Sequence, residues 1–169
     1  MKNKLLALSV LSLALTSGSA MANAGNIQFI GSVSTKTCDI VTDVAGANGS
    51  VIQLGTAAAS TAATAVPFAL KLKDANCDLT GLTNADITFG SASLSTTGLA
   101  NNGGTATGAW VKLSSVNAAT PSDITSSNRT ATVTVTNMKT AGATFTAQLT
   151  GGTVAGTYTT EVSYAIAYK

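Results

Sequence analysis

Few side chains in this sequence are equipped for chemistry. The 169 residues contain no histidine, so the usual proton carrier near neutral pH is missing. Glu161 is the sole glutamate. Asp39, Asp43, Asp74, Asp78 and Asp86 form no evident pair with a nucleophile, and Asp74 and Asp78 flank Cys77 where Asp commonly serves a turn. No glycine-rich phosphate loop or metal-ligand spacing occurs, so no catalytic residue, cofactor or metal is expected, and the chain does not read as an enzyme. The reactive groups that remain are Cys38 and Cys77. In an exported chain two cysteines most simply form one disulfide, with a loop-entropy benefit of roughly 3–4 kcal/mol. Two free thiols or half a metal site are the rival readings; the missing histidines and the lack of a C-x-x-C pair weigh against a metal.

Export is written into the first 22 residues. Met1-Lys2-Asn3-Lys4 is a basic head, residues 5–15 are apolar apart from serines, and Ala20-Met21-Ala22 fits the small-residue cleavage rule. The apolar run is too short and wrongly flanked for a membrane anchor. Cleavage after Ala22 is preferred to cleavage after Ala24 and leaves 147 of the 169 residues, room for one domain. Without Lys2 and Lys4 the nine basic residues become seven, matching the seven acidic ones, so the mature net charge is near zero. No basic patch points to nucleic acid. Little self-repulsion is tolerable in an assembly.

The elements that must position these groups are strands. Residues 156–169 alternate, with Tyr158, Val162, Tyr164, Ile166 and Tyr168 on one face and Thr157, Thr159, Glu161, Ser163, Ala165 and Ala167 on the other. A period of two over this length predicts a half-buried strand. It stands one residue from the chain end, and a long apolar edge without a partner is an aggregation hazard. Further strands are predicted over 36–41, 51–54, 66–73, 85–89, 109–113, 129–136 and 144–149, with a tight turn at Asn48-Gly49 and a loop over 56–65 with room for one helical turn. Roughly eight short strands without a convincing helical period imply an antiparallel sandwich. Ahead of them, Ile27, Phe29, Gly31 and Val33 share one face of an extended segment that could be a spare strand or an ordinary first strand.

Four features together resemble the subunits of chaperone–usher pili of the type 1 kind. They are the final strand with Gly156 fourteenth from the end and Tyr168 penultimate; the cysteine pair Cys38 and Cys77; the alternating segment before the first cysteine; and the run 51–55 followed by an Ala/Thr loop and the strand that begins Pro67-Phe68. They cover nearly the whole mature chain, though residues 90–142 match only in strand pattern. The resemblance implies an all-β, incomplete immunoglobulin-like antiparallel sandwich lacking its final strand, with residues 1–22 a signal peptide, 23–34 a donor-strand extension and 35–169 the pilin domain. Ile27, Phe29, Gly31 and Val33 would then enter a neighbour's groove. Gly156, Tyr158, Val162, Tyr164, Ile166, Tyr168 and Lys169 would form the acceptor groove and meet a periplasmic chaperone, whose basic residues would grip the Lys169 carboxylate. Delivery at an outer-membrane usher would build a head-to-tail polymer on the surface of a Gram-negative bacterium.

The same joint follows from the residues. One end of the chain lacks a strand and the other has one to spare, and a contact between them that does not close makes a fibre. The alternative role is a fimbrial subunit that itself binds a host glycan. Trp110 and Lys112 face outward if Val111 and Leu113 face the core. An exposed Trp can stack on a sugar or pack on a neighbouring subunit, but local packing beneath the loop 99–108 or the subunit contact is favoured.

Overall fold

A computed structural model describes residues 29–34 and 36–169. Residues 1–22, the predicted signal peptide, and Ile27 lie outside the described residues. Among those described, alternating small, β-branched and aromatic residues build two antiparallel sheets. The larger contains β2 (Ala47–Asn48), β1 (Ile40–Val44), β3 (Val66–Leu72), β9 (Ala143–Thr150), β6 (Trp110–Ser115) and β5 (Leu99–Ala100), adjacent in that order, with β7 (Asp123–Ile124) also on β6. The smaller runs β10 (Ser163–Tyr168), β4 (Asn84–Gly90) and β8 (Thr130–Thr134). The result is the all-β architecture expected, with three two-residue strands beyond those predicted.

Inner-face residues of both sheets fill one core. Phe68 and Leu70 of β3, Val111 and Leu113 of β6 and Phe145 of β9 meet Ile87 and Phe89 of β4 and Val133 of β8. Phe145 joins the layers: it stacks on Phe68 with ring centroids 5.5 Å apart and meets Phe89 edge-on at 5.1 Å. The expected disulfide links Cys38 to Cys77. Cys38 packs against the core just before β1, and Cys77 lies in the turn after β3.

Four local expectations are corrected. The first strand begins at Ile40, not Lys36. The tight turn lies at Ala45-Gly46, where both residues have positive φ (53° and 87°) and the Gly46 amide donates to Asp43 at 3.1 Å. Asn48 instead closes the short ladder opposite Asp43. Residues 51–54 join no ladder; Ile52 and Leu54 pack on the core while Val51 is exposed, so their alternation reflects burial without strand pairing. The alternation predicted through Thr136 stops at Thr134, and α1 (Val135–Thr140) follows. The Thr134 side chain accepts from the Asn137 amide as a helix cap, and Val135 and Met138 are buried three residues apart on the helix's inner face.

That helix ends on Gly142, whose φ is +77° and whose amide donates to the Asn137 carbonyl at 2.8 Å. A Cβ there would fall 2.6 Å from the Leu70 carbonyl oxygen. Gly142→Ala therefore combines left-handed strain with a backbone clash. It should destabilise the chain by about 1–3 kcal/mol, read as a lower denaturation midpoint at unchanged slope.

Candidate functional site

Among the described residues β10 is paired with a strand along one flank only. Six of its residues are in register with β4, from Ser163 opposite Gly90 to Tyr168 opposite Ala85. Lys169 extends this grip: its amide donates to Asn84, and its carbonyl-position oxygen accepts from the amides of Thr83 and Asn84 at 2.8 and 2.9 Å. Backbone groups alternate in direction along a strand, so those of Tyr164, Ile166 and Tyr168 point to the opposite, open flank.

The inner face holds β10 in place. Tyr168 is only 5% exposed, Ile166 and Val162 pack partly against the core, and Tyr164 remains 37% exposed with its ring 6.4 Å from that of Phe89. The strand is shorter than predicted, because residues 156–162 leave the ladder. They run against the loop after β5, where the Thr157 and Thr159 carbonyls accept from Ala106, Asn102 and Gly103. Gly156 fits there because a Cβ would meet the Ala106 amide at 2.5 Å. Tyr158 donates to the Leu99 carbonyl at 2.9 Å.

Charge fixes the chain end. The Lys169 ammonium contacts Asp86, which also accepts from the Thr132 hydroxyl at 2.6 Å. Burial works against ionisation of Asp86, but these bonds and the Lys169 charge outweigh it and hold the carboxyl below its usual range. Burial pushes the Tyr168 hydroxyl up to about 12, and among the described residues that hydroxyl has no hydrogen-bond partner.

Beside the open flank lies the segment 29–34, extended but in no ladder. Ser32 and Ser34 turn toward β10. Phe29 and Val33 turn away and are 89% and 99% exposed, and a Cβ on Gly31 would touch nothing. Glu161 borders a hollow of about 500 Å³ with Phe29, Gly90, Asn102 and Ser163, where no second carboxylate stands beside it. Among the described residues no group of three His, Cys, Asp or Glu is placed to hold a metal.

No family model matches the chain. The F107 fimbrial protein of Escherichia coli is 38% identical to it over 169 aligned positions, covering 98% of this chain and 99% of the relative. The K99 fimbrial protein of Escherichia coli is 35% identical over 182 positions, covering 99% of both. The chain belongs to the fimbrial proteins.

Two residues singled out on this fimbrial chain sit apart from the open flank. Trp110 is half-buried on the outer side of β6, and its ring lies over Gly98, where a Cβ would come within 3.2 Å of it. The turn before β5 covers it, and Ala100 of β5 is its cross-strand partner. Lys112 is paired with Asp123 at 3.2 Å, and Asp123 also accepts from Ser114 at 2.6 Å. The two serines that touch β10 were missed in the sequence because polar residues on the far face of an amphipathic segment carry no burial signal.

Two outcomes follow for the chain end. Asp86→Asn should cost about 0.5–1 kcal/mol near neutral pH, small because Lys169 is largely exposed. That advantage of the wild type is full above the ordinary carboxylate value of 3.8 and is lost as pH falls below it, measurable by melting both forms across acid pH. For Tyr168 the sign is opposite. Its contribution is full below the ordinary value of 10.0 and is lost as pH rises toward about 12. Tyr168→Phe should remove that alkaline loss and, by deleting an unpartnered buried hydroxyl, stabilise the unassembled chain by about 1 kcal/mol.

Proposed function

We propose that this chain is a structural subunit of an adhesive fimbria that polymerises head to tail by donor-strand exchange. In this reading residues 1–22 are removed on export, residues 23–34 are the donor strand and residues 35–169 are the pilin body. A periplasmic chaperone first occupies the open flank of β10. At the outer-membrane usher the donor strand of the next subunit replaces it, and the growing fibre stands on the surface of a Gram-negative cell.

The observation that carries the reading is the one-sided bonding of β10, together with a spare apolar segment ahead of the body. A strand laid on the open flank would pair with the outward backbone groups of Tyr164, Ile166 and Tyr168, each added bond contributing about 0.5–1.5 kcal/mol net. Burying Ile27, Phe29 and Val33 would add about 1.5–3 kcal/mol each before packing costs. Phe29 and Val33 share a face, so a one-residue slip would turn both out of the groove, and the pattern itself sets the register. Gly31 between them would let the strand backbone approach the groove wall closely.

Relatives named as fimbrial proteins support the structural role over a catalytic one. Adhesion to a host glycan through Trp110 and Lys112 has less support, since the Trp110 ring packs over Gly98 and Lys112 is engaged by Asp123.

Deletion of residues 23–33 tests the joint. The shortened subunit should co-purify with its chaperone and accept a neighbour's strand, yet add nothing beyond itself, so cells expressing it alone would show no fibres by electron microscopy. Fibres of normal length from that variant would overturn the donor assignment. Phe29→Asp should act in the same direction by placing a charge in the apolar groove, with fibre yield falling at least about tenfold.

A further inference from the structure

The open flank of β10 is not bare in the single chain. The Ser32 hydroxyl donates to the Ile166 carbonyl at 2.6 Å and the Ser34 hydroxyl to the Tyr168 carbonyl at 3.1 Å. Both contacts advance by two residues in the same sense, so the segment runs parallel to β10. Both are made by side chains, and residues 29–34 stand outside every ladder. This placement is the reverse of a seated donor strand, which would turn Phe29 and Val33 inward and bond through its backbone. Here those two side chains face solvent.

We propose that Ser32 and Ser34 form a latch that parks the segment 29–34 on the subunit's own β10 before assembly. The proposal rests on the donor-strand reading above. The two hydroxyls occupy carbonyls that any incoming strand needs, at the Tyr168 end of the edge, and so shield that edge from casual pairing with another chain. The latch leaves Phe29 and Val33 exposed, half-buries only Ile30 and forms no amide ladder. It therefore yields to an inserted strand, which buries its apolar face and pairs through its backbone. It also leaves Phe29 and Val33 displayed for a neighbour while their own groove is covered. One face of the segment thus serves the subunit and the other serves its partner.

The test uses the refolded mature chain and a labelled synthetic peptide of sequence 23–34, with uptake followed by fluorescence anisotropy. The double variant Ser32→Ala/Ser34→Ala should take up the peptide about three- to tenfold faster than wild type, the change expected from losing one or two exposed hydrogen bonds. Ser32→Thr/Ser34→Thr, which keeps the hydroxyls, should remain near the wild-type rate. Because the donor is supplied in trans, the melting temperature of the loaded complex should be the same in all three. Equal uptake rates in wild type and the alanine variant overturn the latch alone. Uptake by none of the three overturns the donor-strand reading and the latch with it. Backbone NMR relaxation of the unloaded chain gives an independent readout: residues 29–34 should be ordered in wild type and mobile in the alanine variant, and equal mobility in both also overturns the latch.

Discussion

A backbone amide or carbonyl drawn out of water must find a partner, and among the described residues β10 finds a strand to pair with on one flank alone. The rest of the structure holds this half-satisfied strand in place. Six residues are pinned to β4, Tyr168 is sunk into the core, and the terminal lysine is bound through both its backbone and its ammonium. An edge fixed at so many points cannot relieve itself by fraying. It is pre-organised, so a strand that pairs with it loses little to the ordering of its receptor.

The smaller sheet makes the requirement sharper. It has three strands against seven in the larger one, so β10 and β8 are both edges, and only β4 lies between neighbours. The two edges differ in chemistry. β8 presents Thr130, Thr132 and Thr134 on its outward face and ends in a capped helix, a polar and terminated border. β10 carries aromatic and aliphatic side chains on its inner face up to the penultimate residue. Low charge along β10 and its approach segment leaves little electrostatic defence against pairing.

Much of this was legible in the sequence wherever the two faces of a strand differ. Phe68 and Leu70, Val111 and Leu113, and Phe145 and Leu149 are buried at alternate positions of the strands predicted over 66–73, 109–113 and 144–149. The misses have physical causes of three kinds. Val135 continues the apolar alternation of β8, and what diverts it is one capping bond from Thr134 to Asn137, a choice local periodicity cannot make. Ala45 takes a positive φ that alanine disfavours, so the more favourable Asn48-Gly49 pair drew the turn prediction away from the true hairpin. Ile52 and Leu54 are half-buried by alternation, but among the described residues no strand pairs with them to complete a ladder. The approach segment is different again. Its two faces were evident, but that the polar one meets β10, through the Ser32 and Ser34 hydroxyls, was not.

The Cys38–Cys77 bond acquires a mechanical meaning from its position. Cys38 is four residues past Ser34, where the approach segment enters the body. Tension applied along that segment reaches the disulfide before it reaches the first residue of β1, and the covalent link carries load straight into the loop after β3. The β1–β3 ladder is thereby spared from being unzipped one pair at a time. The chain's point of entry is a rivet, and force spreads from it into the larger sheet as shear.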